Sequence, residues 1–174
     1  MSPVVVLVGP PGSGKTTVAR LVADQLGVPA RDTDDDIEAE TGSTVAELFV
    51  DHGEAHFRVL ERVAVARAVA EHDGVLALGG GAVLDATSRE AMRHQHVVFL
   101  DVGLSEAVRR VGMSAARPLL LGNVRGQLKA LLDERRPVYE TVASVTLATD
   151  GVPPEQVAAQ VLASLPARRT GGQP

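Results

Sequence analysis

The run Gly9-Pro10-Pro11-Gly12-Ser13-Gly14-Lys15-Thr16 has the spacing G-x-x-x-x-G-K-[ST], and the chemistry of that spacing is phosphate binding. Glycines at 9, 12 and 14 let successive backbone N–H groups approach one anion, at a helix N-terminus where negative charge is favoured. Lys15 is placed to reach β- and γ-phosphates, and the Thr16 hydroxyl to hold Mg²⁺. Lys15 and Lys129 are the only two lysines in 174 residues, so a lysine here by accident is a poor explanation. A second cluster is Asp32-Thr33-Asp34-Asp35-Asp36. Helix capping accounts for part of it, with Thr33 or Asp34 as N-cap and acids in the first turn. An acid at the carboxyl end of a strand also faces the crevice where phosphates bind. Asp32 is therefore assigned to the metal and Asp34 to an acceptor substrate, while Asp35 and Asp36 are expected on a solvated face. Arg58 has Glu61 one turn on, which can hold its guanidinium ready to fork onto a carboxylate. Gly79-Gly80-Gly81 would bring bare backbone N–H groups up to a ligand.

These residues need elements to carry them. Val4 to Val8 is an unbroken apolar, mostly β-branched run, expected to be a strand buried on both faces. Val18, Ala19, Leu21, Val22 and Leu26 follow at helical spacing, so the glycine loop joins strand to helix. Further strands are expected at 28–32, 75–78, 96–101 and 144–148. Helices are expected near 45–52, at 54–71, with Phe57, Leu60, Val63, Ala64 and Val69 inward, and at 87–93, 104–111, 128–135 and 155–165. Pro137 is expected to break the seventh helix. Residues 112–124 lose periodicity, and Gly112, Arg117-Pro118 and Gly122 suggest a small lid whose arginine enters the site. Residues 166–174 have little to bury and are expected to be disordered. Strands alternating with helices make one three-layer α/β domain over 1–165, with a parallel sheet.

Formal net charge is −5 and aromatic residues make up 2% of the chain, which leaves little for a nucleic-acid footprint. There is no cysteine, so neither a disulfide nor a thiolate metal site can form. The first apolar run is too short for a membrane span and lacks a basic leader. A cytoplasmic protein with no membrane or nucleic-acid partner is expected. His94 and His96 lack a third ligand at metal spacing and are expected at the surface.

The ordered set GPPGSGKTT (9–17), DTD (32–34), FR (57–58), GGGAV (79–83), RPLL (117–120) and RRPVYE (135–140) resembles the shikimate kinase family up to about residue 165. These are phosphate-loop enzymes of aromatic amino-acid biosynthesis that convert shikimate and ATP to 3-phosphoshikimate and ADP. The resemblance implies a five-stranded sheet of order 2-3-1-4-5, a substrate-binding segment at 33–61, a lid at 112–124 and a monomer. It assigns Gly12, Ser13, Gly14, Lys15, Thr16 and Thr17 to the ATP phosphates, Thr16 and Asp32 to Mg²⁺, and Arg110 to the neighbourhood of adenine. Asp34, Arg58, Gly79, Gly80, Gly81 and Arg136 correspond to shikimate-binding positions, and Arg117 to the lid arginine near the transferring phosphate. Asp34, Lys15 and Arg117 are thus the catalytic set. One departure is that Asp150-Gly151-Val152-Pro153-Pro154 carries no basic residue for adenine. A gluconate-type kinase fits the pairing of DTD with GGGAV poorly. An idle nucleotide-binding regulator would be expected to have lost Lys15, Asp34 or Arg117.

Overall fold

A computed structural model of the chain describes residues 2–112 and 123–167. Five parallel strands, β1 (Val5–Val8), β2 (Ala30–Asp32), β3 (Val75–Ala77), β4 (Val97–Asp101) and β5 (Val145–Ala148), form one sheet in the order β2-β3-β1-β4-β5. This is the order the resemblance implied. Strand β1 is central, and its side chains alternate: Val5 and Leu7 join one core cluster, Val6 and Val8 the other. All four are at most 1% exposed, worth about 1.5–3 kcal/mol each. Covering helices on both faces explain why the run shows no polar alternation.

Helix α1 (Lys15–Leu26) and helix α8 (Pro154–Ser164) cover the first face. Helix α4 (Glu54–Glu71), helix α5 (Ala86–Met92) and helix α7 (Val124–Val142) supply the second. Two short helices, α2 (Thr33–Thr41) and α3 (Val45–His52), join β2 to α4, and α6 (Leu104–Gly112) follows β4. A capping box at Thr44 and Glu47 starts α3.

Several boundaries differ from expectation. Strand β2 starts later than expected, at Ala30, and its ladder opens with the Val75 N–H donating to the Pro29 carbonyl; Pro29 itself has no N–H to give. The N-cap of α2 is neither Thr33 nor Asp34 but Asp32, whose carboxylate accepts from the Asp34 N–H. On α4, Val63 faces solvent and Glu61 is buried. The largest difference is α7, which runs through Pro137. An interior proline costs about 3 kcal/mol, and packing offsets it. Tyr139 is 1% exposed and its ring stacks on Phe99 with centroids 4.9 Å apart, and burying one aromatic contributes about 3 kcal/mol with about 1 kcal/mol more for the ring pair.

His96 is not a free surface residue. It lies at the start of β4, and its Nε2 meets Ser164 Oγ at 3.2 Å. That hydroxyl already donates to the Val161 carbonyl, so the imidazole is the donor. Burial pushes the His96 pKa below its usual 6.5. The unfolded chain therefore binds more protons than the folded one, so stability is intact above the ordinary histidine pKa and declines as pH falls through it. Thermal melts between about pH 7.5 and 5 are expected to show this acid slope, and His96→Gln, which keeps a donor for Ser164, is expected to flatten it. An unchanged slope in the variant would remove His96 from the linkage.

Candidate active site

The phosphate loop sits where the carboxyl ends of β1 and β4 meet the start of α1. A Cβ on Gly9 would lie 2.7 Å from the Leu100 carbonyl oxygen and 2.8 Å from Ser13 Oγ, which no side chain tolerates. Gly14 is the N-cap of α1 with φ 86°, a left-handed value that favours glycine. Lys15 Nζ curls back onto the loop and donates to the carbonyls of Gly9 (2.7 Å) and Pro10 (3.1 Å). Thr16 Oγ1 donates to Asp32 Oδ2 at 3.0 Å. A hydroxyl and a carboxylate side by side match the hard-oxygen preference of Mg²⁺.

Asp32 has two tasks that compete for nothing. One oxygen caps α2 and the other faces Thr16. The cap turns the chain so that Asp34 points at the glycine wall: a Cβ on Gly79 would lie 2.6 Å from Asp34 Oδ1 and 2.8 Å from Glu61 Oε2. On Gly81 it would strike the Arg58 guanidinium at 2.4 Å. Gly80 lies between the phosphate loop and another arginine, its hypothetical Cβ 3.4 Å from the Gly9 oxygen and 3.5 Å from Arg135 Nη1. Three glycines thus let an acid, two arginines and the phosphate loop converge on one wall.

Arg58 is held as its spacing predicted. Its Nη1 donates to Glu61 Oε1 at 2.8 Å and its Nη2 to Glu54 Oε1 at 3.1 Å. Phe49 and Phe57 lie under the guanidinium, with ring centroids 5.8 and 5.5 Å away. Glu61 is 2% exposed; burial raises its pKa, and the Arg58 and Arg135 charges oppose that rise. Its second oxygen, Oε2, has no hydrogen-bond partner. The aromatic shelf under Arg58 was not anticipated, since two phenylalanines at helical spacing are indistinguishable from ordinary core.

Of the two adjacent arginines on α7, the structure brings Arg135 and not the expected Arg136 to the glycine wall. Arg136 faces away, its Nε donating to Asp101 Oδ1 at 3.2 Å and its Nη2 to the Val102 carbonyl at 3.3 Å. Arg135 faces the glycine wall instead, is 8% exposed, and lies beside Glu61 and the Tyr139 hydroxyl. One residue along a helix is a turn of about 100°, so neighbouring arginines cannot share a face. Continuing α7 through Pro137 places Arg135 four residues before the buried Tyr139, and this i,i+4 relation was the signal in the sequence.

Arg110 is more constrained than a residue merely near adenine. It donates to Glu106 (2.8 Å), to the Gly12 carbonyl (3.0 Å), and to Thr149 Oγ1 (3.2 Å) and O (3.0 Å). Hydrogen bonds from Arg109 and Arg110 pull the Glu106 carboxyl down to about 2. Arg110 lines one cleft with Ser13, Gly14, Thr17, Val152 and Pro153, so the wall lacking a basic residue is apolar. Asp150 turns aside to accept from the Gly103 N–H. Arg117 lies outside the described residues, as do most of the expected lid and the end of the tail.

The shikimate kinase family model matches residues 11–166. The chain belongs to the shikimate kinase family. Among its shikimate kinase relatives, that of Salinispora arenicola is 59% identical over 96% of this chain and 100% of its own length. That of Streptomyces coelicolor is 54% identical over 90% of this chain and 91% of its own. The shikimate kinase of Acinetobacter baumannii, solved in complex with shikimate, superposes with a TM-score of 0.88 at 36% identity, covering 93% of this chain and 91% of that one. A gluconokinase from Sinorhizobium meliloti gives 0.60 at 18% identity, a likeness of fold alone. The kinase superfamily resemblance and the family match therefore separate, and the family match favours shikimate over gluconate.

Proposed function

We propose that this crevice transfers the γ-phosphoryl group of ATP to the 3-hydroxyl of shikimate, giving 3-phosphoshikimate and ADP. The observation that carries the proposal is the convergence of Asp34, Arg58 and Arg135 on the Gly79–Gly81 wall beside the phosphate loop. It gives a small hydroxylated acid two cations and one proton acceptor. The relative solved with shikimate supports the choice of acid.

Arg58, held by Glu61 and Glu54, and Arg135 grip the carboxylate, and the grip fixes the ring. Asp34 accepts a hydrogen bond from the attacking hydroxyl and takes its proton as the new P–O bond forms. Lys15 leaves the Gly9 and Pro10 carbonyls for the phosphates. Thr16 and Asp32 would hold Mg²⁺, which would supply positive charge to the phosphate oxygens. Arg117 adds a further cation to the transferring group. Because the transition state is loose, alignment and charge matching supply most of the acceleration. Arg110 fixes the Gly12 peptide and the edge of the base cleft, while Val152 and Pro153 offer adenine apolar contact. The protein acts in the cytoplasm as a monomer. No described helix is long and apolar enough to cross a membrane.

Coupled ADP release with shikimate, gluconate and nucleoside monophosphates as acceptors tests the proposal. Turnover with shikimate alone is expected. Equal or faster turnover with either other acceptor would refute it.

A further inference from the structure

Tyr139 is the largest fully buried side chain of the described residues, and its hydroxyl is not spent on the core. It donates to the Gly80 carbonyl at 2.5 Å, and the charge of Arg135, one turn earlier on α7, acts on it. Its ring is fixed by Phe99, the planes 25° apart. The hydroxyl therefore anchors the glycine wall at Gly80, the glycine that Arg135 also faces. Burial pushes its pKa up to about 12, so it remains a donor at any working pH.

Holding the Gly80 carbonyl has a consequence for the next atom along. Among the described residues no peptide bond is cis, and in a planar trans peptide the C=O and the following N–H point in opposite directions. With the Gly80 oxygen held toward the buried phenol, the Gly81 N–H must point out of the core, on the wall that Arg58 borders. Among the described residues neither the Gly80 nor the Gly81 N–H donates to a protein acceptor. A glycine peptide is otherwise free to flip, because no Cβ restrains it.

We propose that Tyr139 is a positioning residue for the acceptor site: by anchoring the Gly80 carbonyl, it aims the Gly81 N–H at an oxygen of the bound acid. The inference rests on the reading of this wall as the shikimate-binding surface. It makes Tyr139 a determinant of acceptor affinity with no contact to acceptor or nucleotide.

Tyr139→Phe keeps the ring and its stacking and removes only the hydroxyl. Its KM for shikimate is expected to rise about tenfold, the effect of losing one well-placed hydrogen bond, with the KM for ATP within about twofold. Phe99→Leu, which loosens the ring without touching the hydroxyl, is expected to lower the melting temperature and leave the ratio of the two KM values unchanged. Glycine-selective ¹⁵N spectra give a readout independent of turnover. Shikimate is expected to move the Gly81 amide resonance in the wild type, and to move it less in Tyr139→Phe. A Gly81 amide that ignores shikimate, or KM values that rise together or not at all in Tyr139→Phe, overturns the positioning role while leaving the activity standing. A wild type that neither binds nor phosphorylates shikimate overturns the function proposed above and this inference with it.

Discussion

Asp34→Asn is expected to lower kcat by about 10²-fold or more, as for the loss of a general base, with little change in the KM for ATP. Asparagine has nearly the same shape and can still meet the hydroxyl, so binding survives while proton acceptance does not. The position makes the experiment clean. The Asp34 backbone N–H is the group that Asp32 caps, and the substitution leaves that bond intact. The Thr16–Asp32 contact does not involve the Asp34 carboxylate, so the metal-facing pair is expected to survive the substitution. Pre-steady-state measurement of the chemical step with saturating shikimate and ATP would check it. Turnover near the wild-type rate would remove Asp34 from proton transfer and leave alignment alone as the source of rate.

The second large effect separates two adjacent arginines. Arg135→Ala is expected to raise the KM for shikimate about 30-fold or more, since a hydrogen bond to a charged group contributes about 1.5–3 kcal/mol and each 1.4 kcal/mol is tenfold. The KM for ATP should stay close to wild type. Arg136→Ala is expected to change the shikimate KM by less than about threefold, because its partner Asp101 is partly exposed and such pairs contribute little. Arg58→Ala should resemble Arg135→Ala, because the two guanidinium groups face neighbouring glycines of one wall, Gly81 and Gly80, and both charges act on Glu61. Titrating acceptor at fixed ATP for the three variants decides the matter. A large effect at Arg136 with a small one at Arg135 would reverse the assignment of the clamp.

The buried Glu61 adds a pH term to the same grip. Burial raises its pKa, so it takes up a proton at higher pH than an ordinary glutamate would. The neutral acid no longer holds Arg58 by charge, and acceptor affinity should fall on the acid side before nucleotide affinity does.

What the amino-acid sequence determines by itself is whatever depends on near neighbours in the chain. The phosphate loop is one peptide segment, and its glycines, lysine and threonine follow one another. The Arg58–Glu61 pair lies within one turn of one helix, and the strand-helix alternation that makes the sheet parallel is written in apolar periodicity. Those features were legible, and so was the family they belong to. Other features depend on partners far along the chain, and local rules pointed the wrong way. Pro137 reads as a helix breaker, yet the helix continues because Tyr139 finds Phe99 and the Gly80 carbonyl across the fold. That continuation selects Arg135 over Arg136, a choice between identical side chains that only the angle between successive helical residues can make. Asp32, not Thr33 or Asp34, caps α2, because a carboxylate at the strand end can serve the helix and Thr16 together. Burial of Glu61 has the same origin: α4 has to lay that face against the glycine wall, and where a long apolar side chain would leave Arg58 with Glu54 alone, a carboxylate there acts on both Arg58 and Arg135.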